Sequence, residues 1–264
     1  MRTKRVSAIA LIAGAMLTGC GGGALAPATN DTPSLIAYGS PTGVAHPEVV
    51  LIIMDVDDTP AYRCSGTLVS ASRVLTAGHC TGTPGEFTGM RIVTESDVQR
   101  GNNNYPYAGP NSIEATAWHT HPHYTSAAFY VNDVGVIELS AAASVPAASY
   151  GRLPTPNQLN ALKPSARATF SAVGCGLQRI NPVFVVAEKG RMSATPHLIQ
   201  INTGFTGASS LLLSNNARTG GTCFGDAGGP DLLGTSNVVA GVTFSGSTAT
   251  APGPAVSSAW IARM

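Results

Sequence analysis

Short apolar and β-branched runs, each bounded by turn-forming residues, recur along most of this 264-residue chain. None of the stretches between them has the 3.6-residue period of an amphipathic helix. Many short strands separated by turn residues are typical of an antiparallel barrel or sandwich. The pattern therefore predicts an all-β protein, with strands at residues 49–56, 73–76, 90–95, 134–139, 168–173, 183–188, 198–202, 211–214 and 238–244.

An Ala/Pro/Ser-rich span at residues 141–156 interrupts this pattern and reads as a linker. It divides the chain into an N-terminal half at about 35–145 and a C-terminal half at about 150–264. Only residues 256–264 have a pattern compatible with a short C-terminal helix.

The N-terminal end has the pattern of a targeting segment. Three basic residues precede an apolar stretch at residues 6–17, so residues 1–19 are predicted to be a signal peptide. The stretch is too short to span a bilayer as a helix. The LTGC sequence resembles the bacterial lipoprotein box, which implies lipidation of Cys20 and a flexible tether at residues 20–34. We expect an exported, membrane-anchored lipoprotein of the bacterial cell envelope, periplasmic or at the cell surface. An ordinary signal peptide and a secreted protein are the alternative.

Composition agrees with a turn-rich exported domain. The chain has 30 Gly and 18 Pro, only 11% charged residues, and 44% hydrophobic residues, enough for a sizeable core. Removing the three basic residues of the signal peptide from the 15 Lys+Arg leaves 12, against 14 Asp+Glu. No basic patch remains, so we expect no nucleic-acid partner. Apart from Cys20, four cysteines remain, an even number that suits disulfides in an oxidising compartment.

Four segments carry the candidate chemistry: residues 64–69 (CSGTLV), 75–80 (LTAGHC), 132–136 (NDVGV) and 225–230 (GDAGGP). In this order they resemble the chymotrypsin/trypsin family of serine proteases, and the resemblance extends over residues 36–261. It implies a domain at residues 35–264 built from two six-stranded antiparallel β-barrels. It also implies a monomer without cofactor or metal.

The resemblance assigns a role to each part of the site. His79 would be the general base and Asp133 the acid that orients it, while the amides of Gly225 and Ala227 would form the oxyanion hole. Ala227 stands where the family has its nucleophilic serine. A methyl group cannot attack a carbonyl, so we expect an inactive homologue, a pseudoprotease, that binds a peptide or protein ligand. The alternative is a serine endopeptidase whose active form carries Ser at this position.

Substrate-pocket residues follow from the same resemblance. Gly221 would lie at the base of the pocket, beside Thr222, with Phe244 and Gly246 on its walls. No carboxylate is present there, so a preference for Lys or Arg is not supported and an apolar or undemanding pocket is expected. Phe244 occupies the place of a small hydroxyl residue and would crowd Asp133, unless the alignment is shifted by a residue.

The cysteines follow the family only in part. A Cys64–Cys80 disulfide is implied next to His79, but Cys223 lacks its usual partner further along the chain. A compensating Cys175–Cys223 bond would satisfy the count, and its geometry is left open.

Two further features bear on function. In the family a new amino terminus pairs with the aspartate before the nucleophile, here Asp226, but the segment beginning at Leu35 and Ile36 is only a loose match. His119, His121 and His123 have a spacing that would suit zinc on a regular strand. The intervening proline interrupts such a strand, so no metal site is predicted.

Overall fold

The computed structural model describes residues 39–128, 131–176, 179–180, 185–186, 190–201, 210–216, 218–222, 225–245 and 257–260. The chain divides into two units, Met1–Thr32 and Pro33–Met264, and all described residues belong to the second. The predicted signal peptide, Cys20, and the Leu35 and Ile36 segment lie outside the described residues. Among the described residues, no helix is both long and apolar enough to cross a membrane.

β-Strands dominate the described part of the chain, and its helices are one or two turns long. The α-helix α1 spans Gly78–Thr81, and 3-10 helices span Ser126–Ala128, Ala147–Ser149 and Gln158–Ala161. The strands are β1 (Ser40–Pro41), β2 (Val49–Val56), β3 (Thr59–Ser70), β4 (Arg73–Thr76), β5 (Gly89–Val93), β6 (Ser112–Thr120), β7 (Gly135–Leu139), β8 (Ser165–Gly174), β9 (Arg179–Ile180), β10 (Val185–Val186), β11 (Met192–Ala194), β12 (His197–Ile201), β13 (Ser210–Leu213), β14 (Pro230–Leu233), β15 (Val239–Ser245) and β16 (Ser257–Trp260).

The N-terminal half is a closed antiparallel barrel with the strand order β2-β3-β4-β7-β6-β5. β2 is buried on both faces, which explains its unbroken apolar sequence VVLIIM. Val50, Ile52 and Met54 belong to the main core cluster. Leu51 and Ile53 project to the other side, into a second cluster. This barrel confirms the expectation of a six-stranded antiparallel barrel in the N-terminal half.

The C-terminal half and the N-terminal strand β1 form an eight-stranded antiparallel sheet with the order β1-β11-β8-β12-β13-β16-β15-β14. β14 also pairs with β8. Its own core is built around Phe170, Leu198, Leu211 and Leu213. The all-β class is confirmed, whereas closure of this half as a second barrel stays a prediction.

The C-terminal helix predicted over residues 256–264 is wrong where the structure describes it, because Ser257–Trp260 form β16. This strand pairs with β13 on one side and β15 on the other. Both sides of its backbone are thereby hydrogen-bonded within the sheet, which outweighs the weak helical preference of such a short segment. The remaining residues of the predicted helix lie outside the described part.

Candidate active site

Strand register brings the predicted base and its acid together. His79 lies in α1, three residues after the end of β4, and Asp133 lies two residues before β7. β4 and β7 are antiparallel neighbours, and Thr76 at the end of β4 lies opposite Gly135 at the start of β7. Two residues 54 positions apart in sequence are therefore placed at the same end of the barrel.

Asp133 holds His79 through two hydrogen bonds. The His79 backbone N–H donates to Oδ1 of Asp133 at 2.7 Å, and the imidazole Nδ1 lies 2.7 Å from Oδ2. The aspartate side chain is 1% exposed and the histidine side chain 34% exposed. With Nδ1–H donating to the carboxylate, Nε2 is the nitrogen that can accept a proton. A buried acid thus orients an accessible base.

The disulfide predicted beside the base is present. Cys64 of β3 and Cys80 of α1 are bonded, with Cα atoms 6.1 Å apart. Because Cys80 follows His79, the bond ties the turn that carries the base to the adjacent strand. Within the described residues, Cys64, His79 and Cys80 form the sole cluster compact enough for a metal ion. Two of its three ligand atoms are consumed by the disulfide.

Ser65 fastens the loop that carries Ala227 to the N-terminal barrel. Its backbone N–H donates to the Ala227 carbonyl at 2.8 Å, and its hydroxyl donates to the Gly225 carbonyl at 3.0 Å. The same hydroxyl accepts from the Cys175 N–H at 2.8 Å. Ser65 follows Cys64 of the Cys64–Cys80 disulfide. The same part of β3 therefore holds both the Ala227 loop and the turn that carries His79.

Glycine is required at residue 228 of this loop. Gly228 has φ +84°, and a Cβ there would lie 2.0 Å from Oγ1 of Thr76 and 2.2 Å from the Ser65 carbonyl oxygen. Its N–H donates to the Thr243 carbonyl at 2.7 Å. The Thr243 N–H donates back to the Gly229 carbonyl at 2.9 Å. The loop is therefore held against β4 on one side and β15 on the other.

The turn leaves two backbone donors available. Gly225 has φ +90°. In the part of the chain that the structure describes, neither the Gly225 amide nor the Ala227 amide donates to a protein acceptor. Such a pair of amides can bind a carbonyl or carboxylate oxygen, as predicted for an oxyanion hole.

Comparison with known proteins decides the family. The family profile described as Trypsin matches residues 46–261, which includes His79, Asp133 and the loop at 225–230.

The chain belongs to the trypsin family.

A solved structure of HL collagenase has a similar fold, with a TM-score of 0.64. It is 20% identical in sequence, and the match covers 85% of this chain and 92% of that chain. At this identity the likeness shows the fold alone. No curated protein matches this sequence.

Ala227 lies in the loop at residues 225–230, at the position predicted for the nucleophile. Its side chain packs against the main core cluster. Its carbonyl accepts a hydrogen bond from the Ser65 N–H at 2.8 Å, and Sγ of Cys80 lies 3.7 Å from the same oxygen. The Ala227 backbone is thus placed beside the disulfide that flanks His79.

Asn215 packs against Gly221, the residue predicted to form the bottom of the substrate pocket. A Cβ at Gly221 would lie 2.4 Å from Cγ of Asn215, so only glycine leaves room for this side chain. Asn215 is 1% exposed and its Nδ2 donates to the Thr222 carbonyl at 2.9 Å. Oγ1 of Thr222 is buried, without a hydrogen-bond partner in the described part of the chain. Gly246, the predicted wall residue, lies outside that part.

Phe244 lies in β15 and is 7% exposed. It follows Thr243, the residue that is hydrogen-bonded to Gly228 and Gly229. Pairing of β14 and β15 sets Pro230 opposite Val242. A buried aromatic ring therefore immediately follows the strand residue that holds the loop. Crowding of Asp133 by this ring stays a prediction.

The alternative disulfide between Cys175 and Cys223 is not formed, because Cys175 is a free, buried thiol. Its side chain points into the apolar cluster with Leu51, Ile53 and Val93. Burial raises the pKa of this thiol to about 12, so it is an inert core residue. Cys223 itself lies outside the described residues.

Two buried carboxyl groups lie behind the loop. Oδ1 of Asp226 accepts from the Gly176 N–H at 2.8 Å. Asp231 in β14 is fully buried and accepts a long hydrogen bond, 3.4 Å, from the Thr243 hydroxyl. Desolvation raises the pKa of Asp231 to about 7, and the Asp226 charge adds to the rise. Nothing in the sequence motifs singled out Asp231, which interrupts an otherwise apolar strand.

The three histidines with zinc-like spacing do not share one face of a strand. His119 lies on β6 and its Nε2 is 3.6 Å from a Glu138 carboxylate oxygen. His121 and His123 follow the strand, with their rings 5.5 Å apart, edge to face.

Proposed function

We propose that this trypsin-family protein is a catalytically inactive homologue that binds peptide or protein ligands at the Ala227 site. Ala227 is the observation that carries the proposal. Covalent catalysis in this family needs a hydroxyl oxygen that the base deprotonates. A methyl group has no lone pair and no acidic proton, so His79 has nothing to activate at this position.

The rest of the site favours binding. His79 remains accessible, and the Gly225 and Ala227 amides have no acceptor among the described residues, so they can donate to an oxygen of a ligand. Because these donors belong to the main chain, they do not depend on the identity of the side chain at 227. A peptide carbonyl, or the carboxylate at the end of a cleaved peptide, has the chemistry that such amides recognise.

The second candidate is a serine endopeptidase whose active form carries Ser at position 227. The intact hydrogen bonds between His79 and Asp133 favour it. On this alternative, Ala227 is a knockout or variant, and the surrounding geometry is that of a working enzyme lacking one oxygen.

Replacing Ala227 by Ser distinguishes the two candidates. The purified wild type and Ala227→Ser are incubated with a fluorophosphonate probe and with casein. We expect no labelling of the wild type, because it lacks a nucleophile. Casein cleavage should remain below the residual acceleration, on the order of 10³ to 10⁴ over water, that such a site retains without its triad. Cleavage by the wild type well above this level would contradict the proposal.

The double variant Ala227→Ser/His79→Ala is the matched control. Labelling that depends on both the new serine and His79 identifies a preserved triad and favours the endopeptidase as the ancestral or active form. A silent but folded Ala227→Ser protein shows that the site has lost catalysis through more than one atom, which favours the binding function.

Ligand binding itself is tested on the wild type. Peptides ending in a free carboxylate are added to ¹⁵N-labelled protein, and the Gly225 and Ala227 amide resonances are followed. We expect both to shift downfield on saturation, and a peptide amide to shift them less. Ala227→Leu, which fills the site, should lose the effect. Unchanged resonances with every peptide would contradict binding at this place.

Export and lipidation of Cys20 belong to the same proposal. The targeting pattern of residues 1–19 supports them, and the Cys64–Cys80 disulfide is compatible with an oxidising compartment. We propose a monomer anchored to a cell-envelope membrane.

A further inference from the structure

A cavity of about 410 Å³ lies at the end of β6, on the side of α1 that follows His79. Trp118 and Tyr124 are the aromatic residues of its lining apart from the histidines, and Thr83 and Pro84 also line it. Thr81, which also lines the cavity, is two residues after His79 in the same helical turn. Of the sequence features, the histidine run alone touches this cavity, since His119 and His121 belong to its lining.

The aromatic walls are held in place by the barrel. Trp118 is partly buried and packs against the main core cluster. Thr120, two residues along β6, is hydrogen-bonded to Thr81 through their hydroxyls at 2.7 Å. The cavity is therefore part of the folded barrel, fixed to the turn that carries the base.

One carboxylate lies next to the lining of the cavity. The Glu86 carboxylate accepts from the N–H and the hydroxyl of Thr83, at 2.8 and 3.0 Å, which places it next to the lining. Burial raises the pKa of the Tyr124 hydroxyl, and the charges of Asp133 and Glu86 raise it further.

No positive charge offsets Glu86 within the described residues. It forms no ion pair there, whereas Glu138 pairs with Arg73 and His119. The lining contains no Lys or Arg, and the imidazoles of His119 and His121 complete it.

We propose that this cavity binds a basic side chain, an arginine or lysine of a peptide or protein ligand. A guanidinium or ammonium group is attracted to the faces of tryptophan and tyrosine, and a nearby carboxylate adds to the attraction. The guanidinium group of arginine is planar and can stack on an aromatic ring. The site goes beyond the function proposed above, because its occupant need not reach Ala227.

Tryptophan fluorescence tests the proposal directly, because the chain has two tryptophans. In a Trp260→Phe protein, Trp118 is the remaining one. We expect saturable quenching by Nα-acetylarginine amide. Nα-acetylcitrulline amide has the same shape without the charge, and should bind about fivefold more weakly or worse. Equal affinities, or no saturation with the arginine compound, would overturn the proposal.

Glu86→Gln supplies the second measurement. Glutamine retains an oxygen acceptor for Thr83 but removes the charge, and should weaken arginine binding by about three- to tenfold. Asp57→Asn removes an exposed acid outside the lining and should leave binding unchanged. Equal losses of affinity in both variants would show a general charge effect and contradict a specific site. Quenching by Zn²⁺ that EDTA reverses, at a lower concentration than arginine requires, would also contradict the proposal. All of these binding measurements use proteins that retain Ala227. A failure to bind arginine would therefore not change the interpretation of the Ala227→Ser experiment.

Discussion

Asp231 places a carboxyl group in a strand that is buried on all sides. Its side chain lies beside Thr243, whose backbone is hydrogen-bonded to Gly228 and Gly229 of the Ala227 loop. One of its oxygens has no hydrogen-bond partner among the described residues. Burial therefore favours the neutral acid and raises its pKa from 3.8 to about 7.

This residue predicts a pH dependence of stability. Below about pH 4 the carboxyl is protonated in both the folded and the unfolded chain, so it contributes no difference. Between about pH 4 and 7 the unfolded chain releases this proton while the folded protein retains it. Rising pH therefore lowers the free energy of unfolding across this window. Above the window this loss of stability stays constant.

We expect Asp231→Asn to remove this loss. The free energy of unfolding at pH 8 should rise by at most about 4 kcal/mol, since a pKa unit is worth about 1.4 kcal/mol. At pH 4 the gain should be close to zero. Urea titrations at both pH values measure the free energy of unfolding. Asp57→Asn, which changes an exposed carboxylate, is the control. A gain that is the same at both pH values would show that ionisation is not its cause.

Phe244 is the second position at which the sequence analysis predicts a departure from the family. If its ring restricts the site, Ala227→Ser/Phe244→Ser should react with a fluorophosphonate faster than Ala227→Ser alone, by about tenfold or more. Removing a buried ring costs about 3 to 5 kcal/mol, so rates are compared per folded molecule at low temperature. Equal or lower rates would show that Phe244 does not obstruct the reaction.

At the level of elements, apolar periodicity predicted strands well and missed those with polar or small side chains. All nine predicted strands overlap observed ones, and β2 and β4 have the predicted bounds. β3 was missed because its first half is exposed and contains Pro60 and Arg63. β16 was mistaken for a helix because its pairing with β13 and β15 is a tertiary contact, which no local pattern reveals.

The candidate site shows the same limit. His79, Asp133 and the loop around Ala227 were predicted because each lies in a short motif. Ser65 and Thr243 were not assigned roles, since they act through hydrogen bonds to residues far away in sequence. Their contacts with the loop form only in the folded protein, where β3 and β15 pack against it.

The disulfide between β3 and α1 gives a prediction at this scale. Replacing Cys64 and Cys80 by Ser reopens a loop with a sequence separation of 16. The chain-entropy estimate gives a loss of about 3 kcal/mol in unfolding free energy. Thermal unfolding of the double variant, and of the wild type with reductant, measures it. Cys175→Ser is the control for losing a thiol without a disulfide. Equal losses in both variants would contradict the assigned role.

For the molecule as a whole, the two proposed sites share one support. α1 carries His79 at one position and the cavity residue Thr81 at another, and the disulfide fixes the turn. If one extended ligand occupied both proposed sites, binding at two points would raise its affinity through effective concentration. Such a ligand would be recognised without any chemistry, as the proposed binding function requires.

Membrane anchoring is the prediction that concerns the entire chain. We expect Cys20 to be lipidated, because it follows the apolar stretch of a signal peptide in an LTGC sequence. Expression in a bacterial host with an alkyne-labelled fatty acid should label the wild type and leave Cys20→Ser unlabelled. Cys175→Ser, which removes a buried thiol, should be labelled like the wild type. An unlabelled wild type recovered in the medium would contradict the anchor and favour the secreted alternative. A labelled one would place its binding sites at a membrane surface, where only ligands reaching the cell envelope can meet them.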